Sequence, residues 1–246
     1  MRRVVVHPDA RVLAEAVAVR LLTRILDVQA VRDTVHVVLT GGTLGIAALE
    51  HAAESVLCEA IDWAGVHLWW GDERFLPAGH PDRNETQART ALIDELPIPP
   101  ENVHPVPAEG ARGVAVPDDA ASLYAQALSA HAFGGAAVPG FDVLLLGMGP
   151  DGHVASLFPG HAALDIADRT VVGVLDSPKP PPERVSLTLP AIRAAREVWI
   201  VAAGAEKSTA VHAALAGLSV SSAPAGHATG TEATLWLIDA AAAASA

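Results

Sequence analysis

The segment at residues 147–153, which reads GMGPDGH, carries the first chemistry that the sequence suggests. It follows an apolar run from Phe141 to Leu146, which predicts a buried strand. Glycines let the backbone turn sharply and approach a ligand closely. His153 ends this turn, and a histidine titrates near neutral pH, as a general base must. Because a lone histidine is more often a plain surface or core residue, the assignment depends on the other segments.

A second group of ionisable residues follows the run WWG and consists of Asp72, Glu73 and Arg74. The plain alternative is a solvated loop whose ion pairs contribute little. The functional alternative is that the Arg74 guanidinium binds a phosphate or carboxylate, with an acid orienting it or the substrate.

Residues 39–45, LTGGTLG, predict a strand that turns through paired glycines into a helix. Backbone N–H groups at a helix N-terminus bind anions, so Gly41, Gly42 and Thr43 are candidates for a phosphate site. Hydroxyls of Thr40 and Thr43 would add donors. An ordinary strand-to-helix turn explains the pattern equally well, and the lysine of a P-loop is absent.

Two further cations stand at predicted element ends. Arg184 begins a strand, and Lys207 lies in the first turn of a helix. A cation there opposes the helix dipole, so a bound anion would explain Lys207 better than a solvated surface charge does. Lysine is scarce, since only Lys179 and Lys207 occur.

The elements that must position these residues alternate between short apolar runs and longer helical patterns. This alternation predicts one α/β domain with a Rossmann-like, doubly wound, mostly parallel sheet and helices on both faces. Strands are predicted at 3–6, 35–40, 66–70, 141–146, 170–175, 185–189, 197–203 and 233–238. Helices are predicted at 9–28, 43–59, 82–95, 118–131 and 206–216, with Asp9, Thr43, Asp82 and Asp118 as caps. The domain spans residues 1–246, and 240–246 reads as a frayed tail or a terminal helix.

The turn at residues 147–152 also matches G-x-G-x-x-G, the fingerprint of dinucleotide binding. That fingerprint needs a full helix after its third glycine, but Pro159 and Gly160 limit a helix here to about two turns. We therefore predict no NAD site. The spacing of histidines and the single cysteine also shows no metal motif, so no metal or other cofactor is expected.

The amino-acid composition excludes several classes of binding partner. The net charge of the 246 residues is −12, which argues against nucleic acid and anionic membranes. No apolar run reaches the length of a membrane span. The single Cys58 permits no internal disulfide, which fits a reducing compartment. We predict a soluble, cytoplasmic protein that binds a small anionic molecule.

Four segments, taken in order, resemble the 6-phosphogluconolactonase family. They are W-x-D-E-R at Trp70–Arg74, G-M-G-x-D-G-H-x-A-S-L-F-P at Gly147–Pro159, R-x-[ST]-L-T-x-P at Arg184–Pro190, and G-x-x-K at Gly204–Lys207. The resemblance covers residues 35 to 215. One departure is the turn T-G-G-T-L-G, where the family has S-G-G-S-T-P.

The resemblance implies a Rossmann-like core and hydrolysis of 6-phospho-D-glucono-1,5-lactone. His153 would activate water, and either Asp151 or Asp72 would orient the imidazole or the water. Arg74 would stabilise the oxyanion or hold the substrate. The phosphate would be bound by Gly41, Gly42, Thr43, Arg184 and Lys207.

Two other functions fit the same fold. One is an amino-sugar-phosphate deaminase or isomerase, and the other is a sugar-phosphate-sensing domain without turnover. Sensors of that kind carry a basic helix-turn-helix segment, whereas this chain begins directly with a strand. A monomer is expected.

Overall fold

Two sheets organise residues 1–244, the part of the chain that the computed structural model describes. The strands are β1 (Arg2–His7), β2 (Val35–Leu39), β3 (Val66–Trp70), β4 (Asp72–Arg74), β5 (Val143–Gly147), β6 (Val171–Val174), β7 (Arg184–Leu187), β8 (Glu197–Ala202) and β9 (Ala233–Asp239). The helices are α1 (Ala10–Gln29), α2 (Gly42–Ala53), α3 (Asn84–Ala91), α4 (Pro117–Ala130), α5 (Leu189–Arg193), α6 (Ser208–Leu215) and α7 (Ala240–Ala243).

The larger sheet has the order β1-β9-β8-β5-β2-β3, and all its neighbouring strands run parallel. Its strands are apolar along most of their length because residues on both faces are buried, as in β5 and β8. Parallel strands present their carboxyl ends at one edge, which is where ligands bind in open α/β sheets. The predicted α/β class with a mostly parallel sheet is confirmed.

The smaller sheet is antiparallel and has the order β4-β7-β6. The strands predicted at 170–175 and 185–189 belong to it and not to the parallel sheet. Strand β4 was not predicted, because its polar sequence Asp-Glu-Arg lacks the apolar pattern of a strand. Its register with β7 places Arg74 opposite Arg184, so this small sheet brings two cations side by side.

Helix α1 forms where its sequence predicts it. The Asp9 carboxylate accepts a hydrogen bond from the Val12 N–H at 2.8 Å and caps the first turn. Its buried face consists of residues at helical spacing, among them Leu13, Val17, Leu21, Ile25 and Val28. This apolar face packs against α2 and the large sheet.

Three predicted caps were wrong. Helix α2 begins at Gly42 with Gly41 as its N-cap, so Thr43 lies inside the helix, and α2 ends at Ala53 instead of residue 59. Helix α3 begins at Asn84 after Arg83, so Asp82 is outside it. Helix α4 begins at Pro117, a favoured first residue because it needs no N–H partner, which leaves Asp118 within the first turn.

The segment after His153 forms no helix; it continues as a loop through Pro159. Lys207 ends a short 3-10 turn, Ala205–Lys207, that leads into α6. At the other end, residues 240–243 form a helical turn capped by the Asp239 carboxylate, not a frayed tail, and Ala242 is buried. Residues 245–246 lie outside the described residues. That residues 1–246 form a single domain stays a prediction.

None of the described helices is long and apolar enough to span a membrane.

Candidate active site

A cleft of about 770 Å³ lies at the carboxyl edge of the large sheet. Its walls come from the loops after β2, β5 and β8, together with the β4–α3 region and the segment around Lys179. The predicted site residues among its lining are Gly41, Gly42, Thr43, Asp72, Arg74, His153, Arg184 and Lys207. The topology therefore brings together segments that are far apart in the sequence.

His153 and Asp151 form a hydrogen-bonded pair at this cleft. The His153 Nδ1 atom lies 2.5 Å from Asp151 Oδ1, and the His153 side chain is 14% exposed. Partial burial alone would raise the pKa of Asp151. The hydrogen bond from His153 and the charges of His153 and Lys179 outweigh burial and lower the pKa to about 2. Asp151 is thus a carboxylate near neutral pH.

The turn before His153 requires a glycine at position 149. A Cβ atom there would lie 2.1 Å from His153 Cε1 and 2.5 Å from Asp151 Oδ1. The backbone is held on both sides, because Gly149 N–H donates to the His153 carbonyl and Gly152 N–H donates to the Gly149 carbonyl, each at 3.0 Å. The glycine therefore lets the imidazole pack directly over the turn.

Asp72 has a different partner. Its Oδ2 accepts a hydrogen bond from Ser156 Oγ at 2.7 Å, and both residues are buried. The Ser156 N–H in turn donates to Ser186 Oγ on β7. Of the two acids that the sequence left open, Asp151 bonds His153, whereas Asp72 ties the loop after His153 to the small sheet.

Arg74 is held by the start of α3. Its Nη1 donates to the Asp82 carbonyl at 2.7 Å and to Asn84 Oδ1 at 3.0 Å. Asn84 Nδ2 donates to the Asp72 carbonyl at 2.8 Å. Asn84 also packs tightly over Gly41, where a Cβ would lie 1.9 Å from Asn84 Oδ1. Arg74 and the turn at Gly41 are thus fixed relative to one another.

Glu73 is buried behind Arg74. Its carboxylate accepts hydrogen bonds from the backbone N–H groups of Arg74, Asn84 and Glu85 at 2.7–2.9 Å. Burial raises the pKa of Glu73 to about 7, although these donors and Arg83 favour the charged form. Because its contacts are made to the backbone of the β4–α3 segment, Glu73 shapes the wall that carries Arg74.

Arg184 is buried and binds a neighbouring loop. Its Nε donates to the Pro181 carbonyl at 3.2 Å, and Nη2 donates to the carbonyls of Lys179 and Pro180 at 3.3 and 3.1 Å. The guanidinium also lies 5.8 Å above the Phe158 ring, whose centroid is 4.4 Å from that of His153. Arg184 therefore holds the loop that delivers Lys179 to the cleft.

Both lysines of the chain line this cleft. Lys179 Nζ lies 3.7 Å from Asp151 Oδ1 and 3.5 Å from His153 Nδ1. Lys207 is half-buried, and within residues 1–244 no acidic oxygen lies within 4.0 Å of its ammonium. Burial lowers the pKa of Lys207, Glu206 counteracts this shift, and the charge of Lys179 adds to it. A half-buried ammonium without an ion pair favours an anionic ligand.

The turn after β2 supplies backbone donors. Gly42, Thr43 and Leu44 are the first residues of α2, so their N–H groups have no carbonyl partner within the helix. Gly42 adopts a φ of 81°, which favours glycine. Thr40 Oγ1 accepts a hydrogen bond from the Gly147 N–H at 3.0 Å, so this turn is linked to the strand that leads to His153.

The cleft residues that were not assigned from the sequence include Asn84, Lys179 and Glu206. The scarcity of lysine was a signal for Lys179. Asn84 had no comparable signal, because its part is to contact Arg74 and Gly41, which only the fold brings together.

Comparison with known proteins identifies the family that the whole chain resembles. The model of the family described as glucosamine-6-phosphate isomerases/6-phosphogluconolactonase matches residues 8–236. A 6-phosphogluconolactonase of Streptomyces coelicolor is 55% identical over 98% of this chain and 93% of its own length. One from Mycobacterium leprae is 48% identical over 97% of this chain and 96% of its own length. The solved 6-phosphogluconolactonase of Trypanosoma brucei superposes with a TM-score of 0.84 at 28% identity, covering 99% of this chain and 98% of that one.

Proposed function

The chain belongs to the family of glucosamine-6-phosphate isomerases and 6-phosphogluconolactonases, and on that premise we infer that it hydrolyses 6-phospho-D-glucono-1,5-lactone to 6-phosphogluconate. Three curated 6-phosphogluconolactonases match the chain at 46–55% identity over nearly their full length. The observation that carries the proposal within the chain itself is the His153–Asp151 pair in a cleft whose lining includes the cationic side chains of Arg74, Lys179, Arg184 and Lys207.

His153 acts as the general base. Asp151 accepts the Nδ1–H of His153, so the lone pair of the neutral imidazole is on Nε2. Nε2 takes a proton from water as its oxygen attacks the lactone carbonyl carbon, which gives an oxyanion and an imidazolium. The oxyanion then collapses, the bond to the ring oxygen breaks, and Nε2–H protonates that oxygen. Ionised Asp151 stabilises the imidazolium between these two proton transfers.

The phosphate binds at the turn between β2 and α2. We place it at the N–H groups of Gly42 and Thr43, where the dipole of α2 favours an anion. Lys207 supplies a charge with no competing ion pair among residues 1–244. Arg74 contributes through the part of its guanidinium that faces the cleft. Arg184 acts chiefly by holding the Lys179 loop, because Nε and Nη2 are bonded to carbonyls.

The required rate enhancement is compatible with such a simple site. A lactone is an activated ester, and holding it in a reactive geometry beside one base supplies a large share of the barrier reduction. The backbone donors and cations that surround the cleft stabilise the charge that develops on the carbonyl oxygen.

Acid release from freshly generated phosphogluconolactone tests the proposal, with the spontaneous rate subtracted. We expect wild-type protein to accelerate hydrolysis and His153→Ala to lose about 10²–10⁴-fold in kcat, the usual contribution of a general base. His227→Ala, whose ring bonds a carbonyl outside the cleft, is the matched control. A wild-type rate equal to the spontaneous one would refute the activity, and an unimpaired His153→Ala would refute only the mechanism.

The oligomeric state and the location of the protein follow from weaker signals. We propose a monomer, in which one chain would supply the whole cleft, and a cytoplasmic location, which the lone buried Cys58 favours. A deaminase acting on an amino-sugar phosphate is the alternative from the same family. Ammonia release from glucosamine 6-phosphate by wild-type protein would favour it.

A further inference from the structure

Three histidines from distant parts of the chain meet at the other end of the large sheet. They are His67, His104 and His131, and their ligand atoms all lie within 4.8 Å of one another. His67 is the second residue of β3, next to the amino end of the strand. The active-site cleft lies at the carboxyl ends of the strands, so this cluster is separate from it.

The three side chains are positioned by different elements. The His104 N–H donates to the Leu68 carbonyl at 2.9 Å, which fastens the segment after residue 102 along β3. His131 is the C-cap of α4. The His104 ring also stacks on Trp69 with centroids 3.8 Å apart, and this contact limits its rotation. The cluster therefore lies on a packed framework and not on a free loop.

Hydrogen-bond partners constrain which ring nitrogens are free to bind a metal ion. His131 Nδ1 lies 3.0 Å from the Ala127 carbonyl, which can accept only from an N–H, so the lone pair of the neutral ring is on Nε2. Histidine ligands of metals usually make such a second hydrogen bond to a carbonyl or carboxylate. His67 Nδ1 and His104 Nε2 lie 2.9 Å apart and share one hydrogen bond. For both nitrogens to bind a metal ion, the donor ring must carry its proton on its other nitrogen, which keeps the ring neutral.

We propose that His67, His104 and His131 bind one first-row divalent transition-metal ion, with Zn²⁺ as the representative. Zn–N distances of about 2.0–2.1 Å in a tetrahedral site place neighbouring nitrogens about 3.3 Å apart. The His67–His104 pair must therefore open by roughly 0.4 Å. Nitrogens as far apart as the 4.8 Å limit of the cluster must close by about 1.5 Å, which the exposed His131 side chain can supply by moving. Three imidazoles suit Zn²⁺, Cu²⁺ or Ni²⁺ better than Mg²⁺ or Ca²⁺, and the exposed side of His131 leaves room for water as a fourth ligand.

Burial keeps two of the three rings in the neutral form. Burial, together with the neighbouring histidines, lowers the pKa of His104 to about 3, and burial and His131 lower the pKa of His67. Both rings are therefore neutral near pH 7, the form in which histidine binds metals. The fourth nearby ring, His36, has its Nδ1 occupied by the Trp69 indole N–H at 3.2 Å, and we do not count it as a ligand.

The ion would act on stability and not on catalysis. It would join β3, the segment at residue 104 and the end of α4, which are far apart in the sequence. A ligand that binds only the folded chain raises its stability. The plain alternative is that the rings form only a hydrogen-bonded aromatic stack around Trp69.

A competition experiment distinguishes a metal site from a metal-free aromatic stack. Full-length protein without a polyhistidine tag competes for Zn²⁺ with a chromophoric chelator. We expect one tight equivalent per chain, a raised melting temperature with Zn²⁺, and tetrahedral ligand-field absorption with Co²⁺. His131 is exposed, so the His131→Gln protein should fold normally. It should bind Zn²⁺ at least tenfold more weakly, as roughly expected when one ligand is lost. His67→Gln should do the same, whereas His227→Gln, outside the cluster, should bind like wild type.

The outcomes separate cleanly. Absence of a stoichiometric Zn²⁺ site in wild type, or equal affinity in His131→Gln, His67→Gln and His227→Gln, would overturn the proposal. Zn²⁺ that inhibits lactone hydrolysis equally in wild type and His131→Gln, with no thermal stabilisation, would place the ion at the cleft and also overturn it. Unchanged hydrolysis in zinc-loaded wild type is the expected result.

Discussion

Substitution of Gly149 by alanine should disable the catalytic pair although neither His153 nor Asp151 is itself replaced. The added Cβ would lie 2.1 Å from His153 Cε1, whereas ordinary contact begins at 3.4 Å. The imidazole must therefore move by more than 1 Å, because hydrogen bonds to residues 152 and 153 hold the Gly149 backbone in place. A displacement of about 1 Å at a reacting group costs roughly 10²-fold in rate, or about 2.7 kcal/mol in the barrier.

The assay is steady-state acid release, with kcat and KM determined separately. We expect kcat to fall about 100-fold and KM to change little, because the groups proposed to hold the phosphate lie on other loops. Gly140→Ala is the matched control, since a Cβ at Gly140 meets nothing within 4 Å. A Gly149→Ala protein that folds like wild type and keeps a wild-type kcat would refute the reasoning.

Three further predictions concern single groups. The pKa of Asp151 is about 2, below its ordinary 3.8, so its ionised form stabilises the fold above pH 4 and loses this effect as the pH falls towards 2. Asp151→Asn should therefore lower the free energy of unfolding in urea by about 1 kcal/mol at pH 6, a figure reduced for solvent screening. The loss near pH 2 should be small, and an equal loss at both pH values would contradict this reasoning. Tyr124→Phe should cost about 1–3 kcal/mol in the same assay, because the buried Tyr124 hydroxyl bonds both backbone groups of Trp70; an unchanged midpoint would count against it. Lys207→Ala should raise KM at least tenfold for the phosphorylated lactone and leave that for unphosphorylated gluconolactone unchanged; a loss in kcat alone would refute a role in phosphate binding.

The apolar strands of the large sheet could be predicted because burial on both faces leaves a continuous run of hydrophobic residues. Strand β4 could not, since it is three polar residues long and exists through its pairing with β7. The helix boundaries failed for a related reason. The N-cap residues Gly41 and Val116 have no polar side chain that could bond to the helix. A search of the sequence for polar caps therefore finds the wrong residue.

The candidate site divides in the same way. Motif residues such as His153 and Arg74 stand out because they are reactive types beside glycines or strand ends. Asn84 does not, because its importance depends on contacts with Gly41 and Arg74. The three-histidine cluster has no spacing motif either, since residues 67, 104 and 131 meet only through the packing of β3 and α4.

The placement of both lysines has a practical consequence for handling the protein. Lys179 and Lys207 are the only ε-amines in the chain, and both line the active-site cleft. Amine-reactive dyes, biotin esters or aldehyde-activated resins will therefore react at the α-amino group or inside the cleft. Modification of either lysine should therefore inactivate this protein, and a bound phosphosugar should protect it.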